Sequence, residues 1–113
     1  MDVSDGGQEL DPQWSDVGNN VCGVVDDCRV AYAAAGAFVS AGWSRRSSSW
    51  HGWEVEISWG QIELDPIEGR KVLLNGVIDP QRVDDLASLL SSFGLRFTLE
   101  LYSDTDLVRE IRV

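Results

Sequence analysis

The sequence predicts an α+β fold: an antiparallel sheet of about five strands with two helices on one face, in the order α-β-β-β-α-β-β. Three observations carry this prediction. Trp53, Val55, Ile57 and Trp59 alternate with Glu54, Glu56 and Ser58, and Leu95, Phe97, Leu99 and Leu101 alternate with Arg96, Thr98 and Glu100. That period of two belongs to half-buried strands. Val83, Leu86, Ala87, Leu90 and Phe93 instead recur at helical spacing. A sheet with helices on one face buries all of these stripes. It leaves Glu54, Glu56, Glu63, Arg96, Glu100 and Glu110 on the open face.

Each element has its own signal. Residues 1–19 hold Gly6-Gly7, Pro12, Gly18 and scattered acids without periodicity, the pattern of an acidic N-terminal arm. Residues 20–113 read as a single domain, the size expected of 113 residues. Val21, Val24, Val25, Cys28, Tyr32, Ala35 and Val39 predict a first helix over 21–41, capped by Asn19 or Asn20 and stopped by Gly42. Cys22 and Cys28 are then reduced, buried thiols. Six positions of helix separate them by about 9 Å of rise, too far for a disulfide. Trp43–Gly52 is a link, followed by strands at 53–59 and 61–65 around Gly60. A turn at 65–69 leads to a third strand, Lys71–Ile78, with a bulge or bend expected at Asn75-Gly76. Asp79 caps a helix over 80–93 with Pro80 in its first position, and Gly94 ends it. Strands at 95–101 and 107–113 close the chain around Ser103–Asp106. Asp-Pro-Gln at 11–13 and again at 79–81 reads as a helix-entry signal.

Charge narrows the function. Nineteen acids against nine bases give a formal net charge of −10, which argues against direct nucleic-acid binding because phosphate contacts need cationic side chains. Seven acids and no base fall in residues 1–27, whereas Arg29, Arg45 and Arg46 stand alone in 28–53. Such segregation steers association. No apolar run is long enough to span a bilayer, and the start, Met1-Asp2-Val3-Ser4-Asp5, lacks the basic and apolar regions of a signal peptide. The chain therefore reads as cytoplasmic, with no membrane partner. Eight arginines to one lysine, with abundant Asp, Ala, Val and Gly, is the usage of a GC-rich or salt-adapted bacterial or archaeal genome.

A search for catalytic chemistry returns none. One histidine, His51, and two cysteines six apart make no zinc spacing. His51 stands next to Ser47, Ser48 and Ser49 in sequence, but adjacent residues on a link rarely hold the geometry of an activated nucleophile. No phosphate loop, dinucleotide fingerprint or zincin motif occurs. No catalytic, metal or cofactor site is expected, and the protein reads as a non-enzyme. Tryptophan is the unusual feature: Trp43, Trp50, Trp53 and Trp59 lie close together, and Trp43 and Trp50 flank Arg45 and Arg46. Trp and Arg are the residues most enriched at binding hot spots. The expected contact surface combines Glu54, Glu56, Glu63 and Asp65 with Trp43 and Trp50, facing a basic protein partner.

The Trp-Glu-Val-Glu-Ile-Ser-Trp strand, the Leu-Asn-Gly-Val-Ile-Asp-Pro helix entry and the closing Phe-Thr-Leu-Glu-Leu-Tyr-Ser-Asp hairpin resemble the small α+β immunity proteins of bacterial polymorphic toxins. That resemblance implies an inhibitor of a cognate toxin and carries over no functional residue. The α-β-β-β-α-β-β order, small size and acidity are also similar to type III secretion chaperones, which implies a dimeric adaptor for an effector segment. That family ends in a further helix, where this chain has a strand.

Overall fold

The computed structural model, which describes residues 9–26, 31–48, 52–67 and 70–113, contains all five strands expected from the alternating pattern and adds two. In chain order the elements are α1 (Pro12–Ser15), β1 (Val21–Asp26), α2 (Ala31–Ser40), β2 (Ser44–Ser47), β3 (Trp53–Ile57), β4 (Gly60–Ile67) and β5 (Lys71–Ile78). A 3-10 turn (Pro80–Arg82) then enters α3 (Val83–Ser92), and β6 (Arg96–Ser103) and β7 (Asp106–Arg112) follow. The seven strands form one sheet, ordered β2-β3-β4-β5-β1-β6-β7, and every neighbouring pair is antiparallel.

The main correction concerns the first predicted helix. Residues 21–26 are the central strand of the sheet, paired with β5 on one side and β6 on the other, and the helix is confined to 31–40. Val21 and Val25 fit both periods, but β-branched side chains favour a strand over a helix, and the internal glycine weakens the helical alternative. Val21, Gly23 and Val25 are buried and alternate with half-buried Cys22, Val24 and Asp26. Gly23 is required, because a Cβ there would lie 2.2 Å from the Thr98 carbonyl oxygen of β6. The second added strand, β2, occupies part of the predicted link and pairs with β3 from Ser44↔Glu56 to Ser47↔Trp53. The order α-β-β-β-α-β-β is thus not the observed one. The likeness to secretion chaperones, which was based on it, loses that basis. The bulge expected at Asn75-Gly76 is absent; β4 and β5 pair in continuous register from Gly60↔Ile78 to Ile67↔Lys71.

Asn20 caps no helix. It joins three strands: its side chain donates to the Ile78 carbonyl (2.8 Å) and accepts from the Ile78 amide (2.9 Å). Its backbone carbonyl accepts from the Tyr102 amide (2.8 Å). Both Asp-Pro-Gln segments enter helical turns as expected, with Asp11 and Asp79 accepting from the amides of Gln13 and Gln81.

Both longer helices cover one face of the sheet. Ala34, Ala35 and Phe38 of α2 and Val83, Leu86 and Leu90 of α3 share one apolar core with Val21, Val25, Val55, Ile62, Leu64, Val72, Leu74, Phe97 and Leu99. Among the described residues no helix is long and apolar enough to cross a membrane.

Candidate functional site: the open face of the sheet

Residues that pair across neighbouring strands point to the same face. The register therefore lines up Arg46, Glu54, Glu63, Asn75, Cys22, Glu100 and Glu110 in one row across all seven strands, on the face away from the helices. A second row on the same face holds Asp65, Leu73, Val24, Thr98 and Arg112. With strands about 4.8 Å apart, the carboxylates of Glu54 and Glu63 are neighbours, and Glu100 follows three strands on. Between these rows lies a shallow depression of about 560 Å³ lined by Cys22, Val24, Ile67, Leu73, Glu100 and Arg112 among others. Its floor is apolar, and Ile67 and Leu73 are exposed.

The six residues expected to form the contact surface fall into four groups. Glu63 and Asp65 stand on β4 of the open face, and neither makes an ion pair or side-chain hydrogen bond among the described residues. Glu54 and Glu56 are on the same face but engaged. Glu54 pairs with Arg46 of the neighbouring edge strand. Glu56 accepts from the Leu10 amide (2.6 Å) and from the Gln61 side chain (3.2 Å). Together with the Asp11 amide on the Ser58 carbonyl (2.8 Å), this fastens the N-terminal segment across one end of the face. Trp43 is a correction. It is 3% exposed, on the helix side of the sheet, and packs edge-on against Phe38 (4.9 Å) and Trp59 (5.1 Å). A ring in the core offers nothing to a partner. Trp50, like His51 and Cys28, lies outside the described residues.

The sequence reading missed a polar cluster centred on Glu100. The Tyr102 hydroxyl (3.1 Å) and the Cys22 thiol (3.5 Å) both donate to Glu100 Oε1. Cys22 is a free thiol, as expected, but half-buried on a strand rather than buried on a helix. Burial, then the hydrogen bond to Glu100 and its charge, push the Cys22 thiol above its ordinary 9.0. The hydrogen bond to Glu100 likewise raises the Tyr102 hydroxyl, with burial adding to it. A raised thiol pKa favours the protonated folded state. Its contribution to stability is whole below pH 9.0 and is lost as the pH climbs through the folded value. The thiolate is the nucleophile, so Cys22 in a Cys28→Ser background should alkylate severalfold more slowly folded than unfolded. Glu100→Gln should recover part of that rate; equal folded and unfolded rates would contradict the cluster.

Among the described residues, no group of three or more His, Cys, Asp or Glu side chains is placed to hold a metal ion. What the open face offers is a charged, shape-bearing surface. No protein-family model, curated protein or solved structure matches the chain.

Proposed function

We propose that the protein is a non-enzymatic inhibitor of the immunity-protein kind, which neutralises a cationic bacterial toxin in the cytoplasm through the open face of its sheet. The observation that carries this reading is the pair of unengaged carboxylates Glu63 and Asp65, set between the ion-paired Glu54 and the apolar floor at Leu73. Carboxylates at strand spacing imitate the charge spacing of a polyanion, and a cationic active site is built to receive one. Long-range attraction raises the association rate, and the apolar floor slows dissociation. Glu56 supports the surface indirectly, by holding the N-terminal segment in place.

The reading is tested by co-expression with the product of the adjacent reading frame and by association kinetics on the purified pair. Glu63→Lys with Asp65→Lys should lower the on-rate about tenfold at low ionic strength and flatten its salt dependence, leaving the off-rate within about threefold. Absence of protection by the wild-type protein, or protection and kinetics unchanged by the double reversal, defeats the assignment.

A further inference from the structure

Among the described residues, strand β7 has a neighbour on one side only. The Val113 amide donates to the Phe97 carbonyl (3.0 Å), while the Tyr102 amide donates to Asn20 on the opposite side of β6. Arg109 and Ile111, opposite Leu101 and Leu99, therefore direct their backbone groups to β6. Glu110 and Arg112 direct theirs outward, away from the sheet. The side chains of these two residues lie together on the open face, Arg112 Nη2 standing 3.1 Å from Glu110 Oε2. Ile111 is half-buried on the helix side, and Leu107, Val108 and Val113 are exposed.

We propose that β7 pairs antiparallel with β7 of a second copy of this chain, about a two-fold axis through Ile111. In such a pairing, directly opposite residues share a face, so the axis must pass through a single residue. Centred on Glu110 it opposes two carboxylates; centred on Arg109 or Arg112 it opposes two guanidinium groups. Like charges directly opposite are destabilising. Centred on Ile111, it sets Ile111 against the second copy's Ile111, Glu110 against its Arg112, and Arg112 against its Glu110. The outward N–H and C=O groups of Glu110 and Arg112 then meet in hydrogen-bonded positions. Each copy satisfies the edge that the other exposes. The opposite edge of the sheet forbids the same arrangement: a two-fold pairing centred on the middle of β2 opposes Arg45 to Arg45 or Arg46 to Arg46.

Sedimentation equilibrium on the full chain tests this. The wild type should show a concentration-dependent dimer. Glu110→Arg and Arg112→Glu should each raise the dissociation constant about tenfold or more, by opposing like charges at two positions. The double reversal, E110R with R112E, should restore it to within about threefold. Glu110→Pro removes an outward N–H that β6 does not use and should abolish the dimer with the fold intact by circular dichroism. Ile111→Cys reads the register itself. A non-hydrogen-bonded pair sits about 4.5 Å apart at Cα, within the disulfide range, so this variant should cross-link with itself. A monomer at millimolar concentration, single reversals without effect, or a double reversal that fails to rescue would each overturn the proposal.

Discussion

Trp43→Ala should cost the fold about 4 kcal/mol, the largest loss expected from any side-chain truncation in this protein. The indole is 3% exposed and wedged between Phe38 of α2 and Trp59 after β3, with ring centroids at 4.9 and 5.1 Å and both contacts edge-on. Such aromatic pairs add about 0.5–1.5 kcal/mol each beyond burial. Urea unfolding should show the midpoint falling with little change in slope, and Trp43→Phe should recover roughly half of the loss. Had Trp43 been a surface anchor, the same truncation would leave the midpoint in place and speed partner dissociation instead.

Gly76→Ala should destabilise by about 3 kcal/mol or more, at the upper end of what added bulk normally does. A Cβ at position 76 would lie 2.1 Å from the Gln61 carbonyl oxygen and 2.8 Å from the Ile62 Cα. Both obstacles are backbone, so β4 and β5 must separate to admit it. Gly23→Ala should behave alike, against the Thr98 carbonyl of β6 at 2.2 Å. Gly36→Ala is the control: nothing lies within 4 Å of its added Cβ on α2, and the change should be neutral or stabilising by up to about 1 kcal/mol. Thermal unfolding of the three variants checks the ranking; a tolerated Gly76→Ala would mean that the strands do not approach as closely as described.

The sequence was most legible where one pattern excluded the others. Strict alternation over 53–59 and 95–101 has no helical reading; the strands run over Trp53–Ile57 and from Arg96, with Ser58 and Trp59 in the turn that follows the first. The Asp-Pro-Gln entries are equally explicit, because a capping carboxylate, a fixed proline φ and a free amide leave little alternative. Residues 21–26 were ambiguous. Val21, Val24 and Val25 satisfy helical spacing on their own, and the period of two emerges only when Gly23 is counted as an inward position. A glycine leaves no hydrophobic mark, since its role is the backbone that it lets in. Misplacing β1 hid the Glu100 cluster, because Cys22 meets Glu100 only as a cross-strand neighbour. For the open face, alternation correctly assigned Glu54, Glu56 and Glu63 to one side. Alternation carries no information about which of them finds a partner: Arg46 reaches Glu54 only because β2 exists, and Leu10 reaches Glu56 only because the N-terminal segment folds back.

The position of β1 has a consequence for how the molecule comes together and apart. β2 to β5 form a meander of sequence neighbours, and β6 and β7 form a hairpin; only β1 joins the two. Its partners are remote, Val21 facing Gly76 on one side and Leu101 on the other. Closing a loop of that length costs about 2 kcal/mol more than closing a hairpin turn. The centre of the sheet is therefore the part assembled from the most distant pieces of chain, and it cannot be completed until β6 has been synthesised. Nor can β1 fray like an edge strand, since releasing it breaks two ladders and the Asn20 clamp at once. Within the sheet, a single six-residue strand thus joins the meander and the hairpin, which also share one apolar core with the helices.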